Sequence, residues 1–288
     1  MADQVKYTNK LQGKRVLVLG GSSGMSYSVS RVTNICSRLV GIGFCVAEAL
    51  VEHGSTVIVS SSNEQRVKQT VERLTKAYPS AKSRVSGETC NLSDENILES
   101  QIVSLLDKAT NNASQKLDHI VSTAADALAM TPLEQTDFQK VKQAGMTRFF
   151  APLFIGKHAK KYLNEGPESS ITYTTGTVSE RPIPGWTVIN SYATGLQGMV
   201  RGLALDLKPI RVNLVSPGGV DTELWTNSGL SEEAKKAALA SMGKATATGK
   251  AAMPEQIAES YLYLMRDGNV DGHMVSTNGG STLLGPSG

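Results

Sequence analysis

Residues 20–44 read GGSSGMSYSVSRVTNICSRLVGIGF, a glycine-rich turn that starts, stops and starts again. Removing Met25–Gly41 joins the flanks as VLVLGGSSGIGFCVAEAL: an apolar strand, a tight glycine turn and an amphipathic helix. Such a turn lets backbone N–H groups and a helix N-terminus hold a pyrophosphate. One glycine turn is equally well an ordinary loop, so its meaning depends on the rest of the chain.

Short β-branched runs alternate with helix-period segments throughout. KRVLVLG precedes FCVAEALVEHG, in which Ile42, Val46, Ala49 and Leu50 share a helical face and Gly54 suits a C-cap. STVIVSS, SRVSGETCNL, LDHIVSTAAD, SSITYTTG, IRVNLVSPGG and GHMVSTNGG follow as strands, with helices between them, including one over about 138–163, one over about 190–208 and one near 254–266. Seven strands alternating with helices predict an α/β fold, a single Rossmann-type doubly wound domain with a seven-stranded parallel sheet. No repeat or linker divides residues 1–288, and 226–252 reads as an excursion.

A chain of 288 residues, 40% hydrophobic and 19% charged, suffices for one well-filled core. The formal charge of +3 comes from scattered Lys and Arg, which predicts no nucleic-acid partner and no membrane partner. Cys36, Cys45 and Cys90 form no CxxC pair, the start MADQVKYTNK has no apolar leader, and no His/Cys spacing suits a metal. A cytoplasmic protein acting on a small molecule is the expectation.

The rejoined turn resembles the TGxxxGxG motif of the short-chain dehydrogenase/reductase superfamily, with Leu19 in the Thr place and Gly20, Gly24 and Gly43 as its glycines; Ser22, Ser23 and Ile42 complete the turn. Asn91-Leu92 stand where that family has an Asp-Val that meets adenine. Ser122–Asp126 (STAAD) replace its NNAG turn, bringing Thr123 and Ala124 to the cofactor. Asn213–Trp225 (NLVSPGGVDTELW) resemble its PG motif, in which Pro217 and Gly218 shape the turn, the backbone near Val220 would hold the nicotinamide carboxamide and Thr222 would touch the pyrophosphate. The resemblance also implies a homodimer or homotetramer.

At the end of the second strand an acid would bind the adenosine ribose and repel a 2′-phosphate. This chain has SSSN there, with Ser61 in the acid's position. NADP(H) is therefore the expected cofactor, with Ser61, Ser62, Asn63 and Arg66 around its phosphate; a solvated Arg66 is the plainer alternative.

Family enzymes use a Tyr acid, a Lys four residues later, a Ser and an Asn. The Tyr to consider is Tyr192, but Leu196 stands where the Lys should be. The helix GLQGMVRGLALDL instead sets the Tyr position at Ile189, the Lys at Ala193, the Ser at Gly176 and the Asn at Arg148. In the competing register Tyr192 is catalytic, although it points about 60° away and about one turn along. A positioned acid contributes about 10²–10⁴-fold to ketone reduction; hydride addition to an iminium needs no proton at the reacting atom.

HIVSTAADALAMTPL, TRFFAP, PGWTVINSY and STNGG resemble an atypical fungal branch, the NADP(H)-dependent reductase/Diels–Alderases of malbrancheamide and paraherquamide alkaloid biosynthesis. That likeness implies roles for Arg148 and Trp186, whereas Ile183 replaces an acid before PGW; Asp126 or Glu180 could substitute, or be solvated or capping carboxylates. Arg148 is expected to bind an anionic or carbonyl-bearing substrate, with pairing to a carboxylate as its alternative. Lys157, His158, Lys160 and Lys161 read as a solvated or oligomer face. Three functions stay open: a reductase of an imine-like or other unusual substrate in fungal secondary metabolism, a non-redox cyclase or isomerase with a structural cofactor, and a cofactor-free binding protein.

Residues 25–41 read as a retained intron. Their 17 codons make 51 nucleotides; Gly24-Met25-Ser26 can be encoded G|GTATGAGT, Thr33-Asn34 ACTAAC and Val40-Gly41 GTAG|G. A genuine surface loop is the alternative. By separating Gly24 from Gly43 the segment is expected to detach the helix N-terminus from the bound anion and weaken NADP(H) binding.

Overall fold

The computed structural model describes residues 6–21, 41–126, 132–222 and 231–284. Its strands are β1 (Arg15–Leu19), β2 (Thr56–Ser61), β3 (Val85–Thr89), β4 (His119–Ser122), β5 (Ser170–Thr174), β6 (Arg211–Pro217) and β7 (Met274–Thr277). All pair in parallel in the order β3-β2-β1-β4-β5-β6-β7, the doubly wound sheet expected from the alternating sequence. Strand order reverses between β1 and β4, which opens a crevice at their carboxyl ends.

The helices are α1 (Ile42–Glu52), α2 (Glu64–Ala77), α3 (Leu98–Thr110), α4 (Phe138–Gly145), α5 (Ala151–Tyr162), α6 (Thr187–Leu207), α7 (Glu232–Lys244) and α8 (Pro254–Arg266). Alternate residues of β1 serve opposite cores. Val16 and Val18 pack with Val57, Val59 and the buried faces of α1, α2 and α8, while Leu17 and Leu19 pack with Ile58, Ile120 and residues of α3, α5 and α6. A strand buried on both faces needs an unbroken apolar run, which RVLVL supplies. Each such fully buried Val or Leu stabilises the fold by roughly 1.5–3 kcal/mol.

Three boundaries depart from the sequence reading. The helix expected over 138–163 is divided by a π-turn at Met146–Phe150. Pro152 has no N–H for the carbonyl of residue 148, so the helix ladder must shift there. α6 begins at Thr187, and the 226–252 excursion contains α7, whose N-cap Ser231 accepts from the Ala234 N–H at 3.2 Å. Gly54, at φ +80°, follows the end of α1 as its C-terminal glycine. No helix among the described residues is long and apolar enough to cross a membrane.

The inserted segment lies, except for Gly41, outside the described residues, as do Ser22, Ser23 and Gly24. On its C-terminal flank α1 begins directly at Ile42. Phe44, Val46, Ala47, Leu50 and Val51 are buried, and α1 packs against α8 and β2. Those contacts seat the helix independently of the chain that leads into it.

Candidate functional site

At the carboxyl ends of β1 and β4 the backbone is pinched. Gly20 has φ +84°, and a Cβ there would lie 2.6 Å from the Ala124 nitrogen; a Cβ on Gly43 would lie 2.6 Å from the Gly20 carbonyl oxygen. Only glycine fits either place. Thr123, in the turn after β4, donates to the Leu19 carbonyl through its N–H (2.9 Å) and its hydroxyl (3.1 Å). The turn therefore stays fastened to β1 without the Asn of the NNAG pattern.

Beside this pinch lies a cleft of about 210 Å³, lined in part by Gly20, Ser61, Ser62, Arg66, Asn91, Leu92 and Ala124. Seven of the expected cofactor residues are thus brought together. Asn63 is not among the lining residues: its side-chain carbonyl caps α2, accepting from the Arg66 N–H at 2.9 Å. Asn91 turns its side-chain oxygen to Ser93, accepting from the N–H at 3.0 Å and the hydroxyl at 2.7 Å. Arg66 is exposed at the first turn of α2, with no carboxylate paired to it among the described residues. The buried Ser60 hydroxyl, also on the cleft wall, has no hydrogen-bond partner among them. A glycine cradle that no Cβ could enter, an unpaired cation and an orphaned hydroxyl suit a phosphorylated dinucleotide.

Pro217, Gly218, Val220 and Thr222 lie at the end of β6, outside that cleft. A Cβ on Gly218 would come within 2.9 Å of the Asn278 Cα. Val220 and Thr222 are buried, and Asp221 N–H donates to the Ala252 carbonyl at 2.9 Å. The loop is therefore a fixed wall facing the end of β5.

The substrate side is built around the π-turn. Arg148 Nε donates to Asp126 Oδ1 at 3.0 Å, and its Nη2 donates to the Asp126 backbone carbonyl. Burial lowers the Arg148 pKa and raises that of Asp126, each partly offset by its partner. Arg148 is thus paired rather than free. Asp126 and Thr147 line the cleft beside the glycine pinch, as do Cys90, Ser93 and Ala125; sequence reasoning did not select Thr147, Cys90, Ser93 or Ala125 as site residues.

Tyr192 turns away from the end of β5. Its hydroxyl donates to the Val141 carbonyl of α4 at 3.0 Å, and its ring centroid lies 5.3 Å from that of Phe149 and 6.0 Å from that of Phe150. Burial raises its pKa, the opposite of what a ready proton donor needs. Ile189 is buried on the inward face of α6, and the Ala193 carbonyl accepts from the Thr175 hydroxyl at 2.9 Å beside β5. At Gly176 an added Cβ would meet only the Pro217 carbonyl oxygen, at 3.9 Å, so packing does not exclude a side chain there. Trp186 is half-buried at the start of α6, and Ile183 is exposed.

Glu180, Lys157, His158 and Lys161 have structural partners, whereas Lys160 is exposed. The Glu180 carboxylate accepts from the Ser216 hydroxyl at 3.0 Å and the Ser276 hydroxyl at 2.9 Å, which ties the segment after β5 to β6 and β7. Lys157 and His158 meet Glu99 at 2.6 and 2.7 Å, and Lys161 meets Asp107 at 3.3 Å. Cys45 and Cys90 are buried, and burial pushes their thiols up to about 12 and about 11. A larger groove, about 960 Å³, runs between α3 and Phe154 and includes none of the expected site residues in its lining.

Residues 28–284 match the family model described as an SDR-like Rossmann domain. The chain is 40% identical over 284 residues to the short-chain dehydrogenase/reductase fsr5 of Gibberella fujikuroi, an alignment covering 98% of this chain and 100% of the relative. It is 35% identical over 285 residues to the short-chain dehydrogenase/reductase malC of Malbranchea aurantiaca, covering 98% and 100%. The solved structure of that organism's MalC Reductase/Diels-Alderase superposes with a TM-score of 0.85 over 97% of this chain and all of the other. With the doubly wound sheet, the glycine pinch at its switch point and these full-length matches in agreement, the chain belongs to the short-chain dehydrogenase/reductase family.

Proposed function

We propose that the protein is an NADP(H)-dependent reductase of fungal secondary metabolism whose substrate is imine-like and whose usual Ser/Tyr/Lys machinery is absent. The observation that carries this reading is the Tyr192 hydroxyl, turned to the Val141 carbonyl and away from the strand ends. Ile189, Ala193 and Gly176 then stand at the Tyr, Lys and Ser positions, and none can donate a proton through its side chain. The bound nicotinamide would supply hydride. Gly20 and Gly43 admit the dinucleotide backbone, Ser61 leaves room for a 2′-phosphate that an acid would repel, and Arg66 lies within the same cleft to pair with it. Addition of hydride to an iminium carbon neutralises the cation and leaves an amine, so an acid is dispensable.

A second reading, a non-redox cyclase in which the cofactor is structural, is favoured by the likeness to a protein described as a Reductase/Diels-Alderase. Purified protein given NADPH with a cyclic iminium, and separately with the matching ketone, distinguishes the two. Consumption of NADPH with the iminium and not the ketone is expected. Product without consumption would support the cyclase, and ketone reduction at a comparable rate would contradict the loss of the acid.

A further inference from the structure

Arg148 holds a single residue twice. Its Nε takes the Asp126 carboxylate and its Nη2 the Asp126 main-chain carbonyl, and Thr147 lines the same cleft beside them. Both side chains are only partly accessible, 25% for Arg148 and 31% for Asp126, and Asp126 lies on the cleft wall with Gly20 and Ala124. Among the described residues Nη1 makes no hydrogen bond, so the guanidinium keeps free N–H donors while its charge is balanced.

Charge and hydrogen-bonding capacity are thereby separated. An incoming carboxylate would meet the Asp126 carboxylate within a few ångströms of the cation that should attract it, and at that range the two interactions nearly cancel. A neutral carbonyl can still accept from Nη1, and a cationic group elsewhere on the same ligand meets no net positive charge.

We infer that Asp126 is a specificity-determining residue: by neutralising Arg148 it makes the site select carbonyl-bearing neutral or cationic substrates and refuse free carboxylates. This deepens the reading of the cleft as a reductase site, and rests on it only for placing the substrate there.

Benzamide and benzoate, which differ little except in charge, serve as probes, titrated by calorimetry into the protein with and without NADPH. The wild type is expected to bind benzamide at least tenfold more tightly than benzoate, and Arg148→Gln to weaken benzamide. Asp126→Asn is expected to tighten benzoate at least tenfold, and the double variant Asp126→Asn/Arg148→Gln to abolish that gain. Loss of a merely structural contact would weaken both probes together. If Asp126→Asn does not fold, the wild type and Arg148→Gln decide alone. The inference is overturned if benzoate binds the wild type as tightly as benzamide, if Asp126→Asn leaves benzoate unchanged, or if Arg148→Gln leaves benzamide unchanged. Failure to bind NADPH would contradict the reductase reading while the probe comparison still decides the role of Asp126.

Discussion

Removal of residues 25–41 should make the protein both more stable and a better cofactor binder. Gly20 and Gly43 touch in the fold although 22 residues separate them in the chain; the deletion would leave 5. If the longer connection has no packing of its own, closing it costs (3/2)RT ln(22/5), about 1.3 kcal/mol more than closing the shorter one. For a domain of this size that corresponds to a rise in melting temperature of about 2–4 °C. The effect on binding has a separate origin. Since α1 is already seated by its buried face, the gain must come from the N–H groups of residues 22–24 rather than from the helix moving. One restored hydrogen bond to a charged phosphate contributes about 1.5–3 kcal/mol, so the NADPH Kd should fall at least about tenfold. Thermal melting and NADPH titration of both forms measure the two effects. A deletion variant that melts lower and binds no tighter would refute the reasoning and identify the segment as an integral loop.

Ser61→Asp should reverse a preference for NADPH over NADH, read by titration of both cofactors; equal affinities in the parent protein would contradict the assignment of Ser61. Tyr192→Phe should cost about 1 kcal/mol of stability through loss of one hydrogen bond to Val141 and leave turnover within about threefold, whereas a thousandfold loss would place this Tyr in the reaction. His119 is fully buried, with Nδ1 2.9 Å from the Ser170 hydroxyl, and burial pulls its pKa down to about 3. Between about pH 6.5 and pH 3 the unfolded chain therefore holds a proton that the folded one refuses, so stability should decline as pH falls through that window, by at most about 1.4 kcal/mol per pH unit. Denaturant melts across that range test this, and a His119→Gln variant should lose that component of the slope.

The sheet was legible because the strands are short β-branched runs buried on both faces, so RVLVL or HIVS has one reading once helices are seen between the runs. The glycine pinch was legible for a related reason: Gly20 and Gly43 each occupy a position that admits no Cβ, and that restriction leaves a mark in sequence. Side-chain direction left none. The grip of Arg148 on Asp126 spans 22 residues and uses a main-chain carbonyl, while the π-turn carrying Arg148 follows from a proline four residues on. Likewise the α6 register favoured Ile189 over Tyr192 for the acid's position but left Tyr192 open, and the partner that the Tyr192 hydroxyl takes, the Val141 carbonyl, is backbone and has no residue signature. Asn63 was selected for its polarity at the right place; its capping role became visible only with the first turn of α2.

Isotope transfer tests the central claim most directly. NADPH carrying deuterium at the transferable position of its nicotinamide is incubated with the protein and a cyclic iminium, and the product is weighed by mass spectrometry. The account predicts an amine one mass unit heavier than the product made with ordinary NADPH, in wild type and in Tyr192→Phe alike. Product of unchanged mass would show that no hydride moves and that the site does something other than reduction.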